Sequence, residues 1–296
     1  MQNFSEEKIG LIYGLSAFTL WGFLVVFFKQ FNGVDPYQIV MHRVLWSVVT
    51  LLPILAAFRR LKAAIRILLD FKTSFWLFLS GSLLAASWCI FIYAVDQNLV
   101  LEASLGNFIS PLFSMLIGFF ILKEKASLSA KLAVAIVLIA VAVQAVAIGS
   151  LPFLALFLAV VVALYGLIRK QVKVSALEGL FVENLLILPI GLAYLAHVII
   201  SGQNRFDLDI NGLLFALCGP VTVVPLLLFT ASARRVNLSV IGYLQYVNPS
   251  ISMALAVFIY GEKLQTYKLI SFCLIWLALA LVSAQGIYAL KRKKNE

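Results

Sequence analysis

Long apolar runs, cut by short polar breaks, repeat along the whole chain. Each is about as long as the 18–23 residues that carry a helix across a hydrocarbon core of roughly 30 Å. Dividing the chain at the polar, glycine and proline breaks predicts helices over 9–28, 37–58, 73–94, 102–122, 130–148, 151–168, 178–200, 211–232, 239–260 and 267–289. The longest connection is SGQNRFDLDIN, so no soluble domain fits between the spans. Short segments of alternating polarity are missing, which excludes a transmembrane barrel. Helices remain, because backbone inside lipid must satisfy its own hydrogen bonds. The pattern predicts an all-α integral membrane protein with ten transmembrane helices.

Composition agrees: 63% of the 296 residues are hydrophobic and 12% are charged, against about 25% charged in a soluble domain. The net charge of +10 sits in the short loops. That placement fits topological anchoring and attraction to anionic membrane lipid, and gives no reason to expect nucleic acid. With the amino terminus inside, eighteen Lys and Arg fall in cytoplasmic segments and four in outer ones. Both termini are therefore expected to face the cytoplasm. The start, MQNFSEEKIG, lacks a basic n-region and a cleavage pattern, so the first apolar run reads as a retained helix. Cys89, Cys218 and Cys273 lie in apolar runs without C-x-x-C spacing and read as small core residues. No metal or cofactor is expected.

The chain repeats itself. NFISPLFSM, Asn107 to Met115, is echoed by QYVNPSISM, Gln245 to Met253, at an offset of 138 residues that also maps Glu124-Lys125 onto Glu262-Lys263. Trp21-Gly22 and Tyr165-Gly166 correspond near the start of each half. A unit of five helices is odd, so the second copy must enter the membrane upside down. Charge agrees: the basic connection after the second span answers to the Arg205, Asp207 and Asp209 connection after the seventh. Two inverted repeats, 1–148 and 149–296, are expected. Inverted repeats are a common plan of secondary transporters, with substrate near the midplane.

Several residues stand out. Arg43, in MHRVLWS, lies deep in the second span, where an unpaired arginine costs roughly 2.5–3.5 kcal/mol and should face the bundle. It either fixes a substrate carboxylate or snorkels outward. His42 either exchanges a proton or satisfies a backbone carbonyl. Glu183 is equally deep in the seventh span: a proton-coupling carboxylate, a partner for a cation, or half of a structural ion pair. Pro111 and Pro249 each remove a helix hydrogen bond and are expected to act as hinges, with Asn107 and Gln245 one turn before them. Trp21, Trp88, Tyr165 and Tyr246 are candidate cavity walls. Small residues at every fourth position, Gly106, Ser110, Ser114 and Gly118, and again Asn248, Ser252 and Ala256, read as packing stripes. Glu124 and Glu262 read as loop anchors. No P-loop, H-E-x-x-H or nucleophile elbow is present, so nothing supports an enzyme.

HRVLWS, FIYAVDQNLVLEASLGNFISPLFSMLIGFFILKEK, GSLP, ALYGLIRK, TVVPLLLFTASARR and GYLQYVNPSISMALAVFIYGEK together make this chain resemble the EamA family of the drug/metabolite transporter superfamily. The resemblance runs over nearly the whole chain. It implies a ten-helix carrier of the inner membrane with five-plus-five inverted repeats, in a family that exports amino acids and other small metabolites. Ser87, before Trp88, departs from the asparagine the resemblance leads one to expect, and a substrate contact there would alter specificity. The combined expectation is a secondary exporter of a small molecule, as monomer or homodimer. The substrate-binding set would be Arg43, Asn107, Glu183, Gln245, Trp21, Trp88, Tyr165 and Tyr246, with His42 and Glu183 available for proton coupling. The rival expectation is a membrane sensor or scaffold with a filled core.

Overall fold

Asp35 shows how local chemistry starts these helices. Its side chain accepts the Tyr37 N–H at 3.0 Å while Pro36 occupies the first helical position. Both choices meet needs of a helix start, where backbone N–H groups lack intrahelical partners. In the computed structural model, residues 2–31, 33–120, 128–207, 210–233, 235 and 244–295 are described. They form α1 (Gln2–Gly22), α2 (Leu24–Phe28), α3 (Pro36–Ala57), α4 (Leu61–Leu69), α5 (Phe71–Asp96) and α6 (Val100–Phe120). They continue with α7 (Leu128–Ile148), α8 (Phe153–Gln171), α9 (Ala176–Ile200), α10 (Ile210–Ala233), α11 (Val247–Phe258) and α12 (Thr266–Asn295).

Six helices among the described residues are long and apolar enough to cross a membrane: Glu6–Phe31, Pro36–Ala57, Phe71–Asp96, Lys131–Ile148, Ala176–Ile200 and Ile210–Ser232. Phe153–Arg169, Val247–Phe258 and Thr266–Ala278 are shorter apolar helices. The sequence pattern places these elements well, with three local differences. The first span breaks at Phe23 and ends in a 3-10 turn at Lys29–Phe31. The basic connection after α3 is not a loop: it folds into α4, whose period-3.6 pattern is too short to read as a span. The ninth predicted span is described from 244 onward, and its helix α11 begins only at Val247.

Polar ties define two ends. At one end Arg60 pairs with Glu178 at 3.2 Å and Arg235 with Glu6 at 2.9 Å. At the other, Lys29 Nζ donates to Asn98 at 2.7 Å, Gln38 to Asn204 at 3.1 Å and the Tyr194 hydroxyl to Asp35 at 2.6 Å. The termini mark the first end. Glu262 acts at the far end, where its two carboxylate oxygens accept the Val100 and Leu101 N–H groups at 2.7 and 2.9 Å. The loop anchor of the sequence reading is therefore also a cap on the start of α6, placing a carboxylate at the positive end of that helix.

 The two contacts join positions 162 and 161 residues apart in sequence.

Helix contacts come in related pairs. α6 packs on α8 as α11 packs on α1, α5 packs on α8 as α10 packs on α1, and α5 packs on α9 as α10 packs on α3. α3 also meets α9, α6 meets α11, and α7 meets α12. Two glycines permit close approaches in corresponding seams. A Cβ on Gly81 would lie 3.1 Å from the Glu183 carbonyl oxygen, and one on Gly219 would lie 2.2 Å from the Trp46 carbonyl oxygen. These glycines stand 138 residues apart, the offset of the sequence repeat. Of the predicted packing stripes, Gly106 lies against Ala155, and Ser252 donates to the Gly22 carbonyl at 3.2 Å. The side chains of Ser114 and Gly118, and all of Glu124, lie outside the described residues.

Candidate functional site

A cavity of about 470 Å³ runs from Arg43, in the middle of the bundle, to Ala176, the first residue of α9 at the termini end. Its volume falls in the range of about 300–1,000 Å³ usual for small-molecule sites. Beyond Arg43, toward the far end, lies an aromatic cluster whose rings are not among the cavity's lining residues. Phe31 meets Phe215 at 5.0 Å between ring centroids, and His42 lies between Phe206 at 5.1 Å and Phe215 at 4.2 Å.

Arg43 is 3% exposed and is held on three sides. Its guanidinium stacks on Trp88 at 3.9 Å from the ring centroid, with Phe28 at 5.3 Å. Its Nε donates to Thr222 Oγ1 at 2.8 Å, and the Thr222 hydroxyl donates in turn to the Cys218 carbonyl. Among the described residues no carboxylate pairs with Arg43. The arginine faces the cavity; it does not snorkel outward.

Glu183 is 1% exposed and has a different setting. Its Oε1 accepts from Ser80 at 2.6 Å and pairs with Arg169 at 3.4 Å, and the Tyr165 hydroxyl stands beside the same carboxylate. Gly179, one turn earlier on α9, lets the Arg169 guanidinium lie flat there: an added Cβ would come within 2.2 Å of it. The space adjoining Glu183 amounts to about 10 Å³. That is too little for a ligand. Glu183 belongs to an ion pair at the edge of the cavity, while Arg169 and Tyr165 face into it.

Of the predicted wall and contact residues, the cavity gathers Arg43, Asn107, Trp21, Trp88 and Tyr165. Gln245 and Tyr246 are not among its lining residues. Both sit in a turn ahead of α11, and Tyr246 stacks on Phe108 at 6.3 Å. The amide that reaches the cavity from this region is Asn248, whose buried Oδ1 has no hydrogen-bond partner among the described residues. The displacement has a local cause. Pro249 withholds the N–H that the Gln245 carbonyl would accept in a continuous helix, and the helix is interrupted at Gln245–Tyr246. By contrast α6 runs unbroken through Pro111, whose side chain lies outside the described ones.

His42 satisfies no carbonyl among the described residues: neither ring nitrogen has a partner there, and the ring packs in the far-end aromatic cluster. Ser87 lines the cavity while donating to the Leu84 carbonyl at 2.7 Å. Cys273 is exposed on α12, unlike a core residue. Thr222, Arg169 and Asn248 were missed as site residues in the sequence. Arg169 counts there only among the loop cations and Asn248 as part of a packing stripe, and Thr222 is not singled out. Each needs the partner helix to show its role.

The EamA-like transporter model matches residues 8–145 and again 150–284. Protein RarD of Salmonella typhi is 39% identical, over 97% of this chain and 99% of its own length. Protein RarD of Escherichia coli strain K12 is 37% identical, over 97% and 98%. A protein of Vibrio cholerae named an uncharacterized transporter is 38% identical, over 96% and 95%. A solved crystal structure covers 93% of this chain and 96% of its own with a TM-score of 0.61 at 17% identity, a likeness of fold alone.

Proposed function

This chain belongs to the EamA-like transporter family and is a multi-pass membrane transporter, and from that premise we propose that it is a secondary exporter of the inner membrane. It moves a small metabolite, such as an amino acid or a related amphipathic compound, by alternating access through the central cavity. The observation that carries this reading is the cavity itself, which begins at the buried Arg43 and reaches the termini end, with an aromatic cluster packed beyond Arg43. A sensor or scaffold with a filled core would have no such space. With both termini in the cytoplasm, as the Lys and Arg distribution favours, the cavity faces the cytoplasmic supply of an exported compound.

Ten membrane helices in two inverted repeats, 1–148 and 149–296, complete the proposal. The paired helix contacts support it: exchanging α1, α3, α5, α6 and α7 with α8, α9, α10, α11 and α12 interconverts the three matched couples above and carries α3–α9, α6–α11 and α7–α12 each onto itself. The two family matches, 8–145 and 150–284, divide the chain in the same place. Two near-equivalent packings are what rocking between inward and outward states requires. Arg43, Asn107 and Asn248 are the proposed polar contacts, with Trp21, Trp88 and Tyr165 as walls; Gln245 and Tyr246 act through the turn before α11. The Arg169–Glu183 pair is the group available for proton coupling.

The test is flux in vesicles reconstituted with the full chain, across a metabolite panel, with and without a pH gradient. Saturable flux of one class supports the proposal, and acceleration by the gradient assigns proton coupling. No flux of any class overturns it. Single cysteines placed at 124 and 262 check the topology: labelling of both from one side of the membrane would contradict inverted repeats.

A further inference from the structure

We infer that the central cavity selects organic monoanions: a carboxylate or similar oxyanion on an apolar body, with no compensating ammonium group. This rests on the transporter reading and narrows its substrate class, setting zwitterionic amino acids aside in favour of related anions. Two cations line the cavity, Arg43 and Arg169, and no carboxylate is among the lining residues. Arg169 is committed to Glu183 at 3.4 Å. Among the described residues Arg43 has no counter-charge, so the site carries one unbalanced positive charge inside a low-dielectric bundle, where an opposite charge is strongly favoured.

The geometry is that of an oriented receptor. Trp88 fixes the guanidinium plane at 3.9 Å, and the bond to Thr222 engages Nε. The two terminal nitrogens have no hydrogen-bond partner among the described residues, and together they present the fork that a carboxylate accepts in bidentate fashion. Below them the walls are largely apolar, including Leu158, Val162 and Phe229. The uncharged amides Asn107 and Asn248 add hydrogen bonding without charge. A zwitterion would bring an ammonium group into a cavity with no carboxylate to receive it. A cation would meet two arginines.

Three probes share one phenyl body and differ in charge: N-acetylphenylalanine, a monoanion; phenylalanine, a zwitterion; and phenylalaninamide, a cation. Binding to the full-length protein in detergent is read from the fluorescence of its tryptophans, and flux is read in reconstituted vesicles. The monoanion is expected to bind about tenfold or more tightly than the other two, the scale of one charge-assisted hydrogen bond. Arg43→Gln should abolish that preference and Arg43→Lys should retain part of it. Thr222→Val should weaken anion binding several-fold, on the scale of one hydrogen bond that orients the fork, without changing the order of the probes. Should Arg43→Gln fail to fold, the lysine and valine variants still decide the matter.

Equal affinity for all three probes, or a preference that survives Arg43→Gln, overturns the inference. Flux of the zwitterion or cation without the anion overturns charge selection and leaves the transporter reading standing. Tight anion binding without flux of any probe or panel compound does the reverse. No binding and no flux of any kind overturns both.

Discussion

Arg43 and Glu183 occupy comparable seams and are treated in opposite ways. On α3, Arg43 bonds across to Thr222 of α10; on α9, Glu183 bonds across to Ser80 of α5. Each seam has its close glycine, Gly219 in the first and Gly81 in the second. Glu183 has a counter-ion and about 10 Å³ of adjoining space, whereas Arg43 has no counter-ion among the described residues and faces about 470 Å³. A charge that is neutralised and enclosed can hold helices together. One that is oriented but left without a partner can receive a ligand.

The sharpest way to break this comparison is to remove each charge and measure thermal unfolding of the full chain in detergent. Glu183→Ala leaves Arg169 without its partner and should cost about 3–5 kcal/mol, the usual penalty for breaking a buried pair. Arg43→Gln should shift stability far less. Insertion of the charge costs roughly 2.5–3.5 kcal/mol, while its cation–π contact contributes about 2 kcal/mol or more and its charged hydrogen bond about 1.5–3 kcal/mol. These nearly cancel, and Thr222 keeps its bond to the Cys218 carbonyl. An equal loss in both variants would end the distinction between the seams.

Backbone approach gives a smaller contrast. Gly219→Ala sets a methyl against the Trp46 carbonyl, which cannot move alone, and should cost about 1–3 kcal/mol. Gly81→Ala meets the Glu183 backbone at 3.1 Å and should cost less. A reversed order, read by the same unfolding measurement, would show that the α5–α9 seam is the tighter one.

The smallest expected effect is at the far end. Burial raises the Glu262 carboxyl above its usual range, more than the Leu101 and Val100 N–H groups and the nearby lysines lower it. A raised acid binds its proton more readily in the folded state, so its contribution is largest below the ordinary carboxylate pKa and falls as pH rises through the folded value. Glu262→Gln should flatten stability against pH across that interval. An unchanged profile would remove Glu262 as its source.

The intramembrane charges show how far a sequence reading reaches. Arg43 stood out because an arginine deep in an apolar run must face protein or water, and its place on the cavity follows from that cost alone. Its lack of a counter-ion does not follow, because Asp and Glu at many positions were available in principle. Glu183 was equally visible, but its partner Arg169 ends a different helix, so its three possible roles could not be separated. Gln245 was chosen by analogy with Asn107. Tertiary packing put Asn248 on the cavity instead, because the break before Pro249 rotates the two positions relative to each other.

Taken by itself, the sequence determined that the chain is helical and lives in lipid, since hydrophobic run length and unsatisfied backbone leave no other choice. It also showed a motif recurring at an offset of 138 residues and two charges set within apolar runs. Only the tertiary structure decided which charge is enclosed and which faces open space. That depends on contacts between helices distant in sequence, whose direction no local pattern encodes.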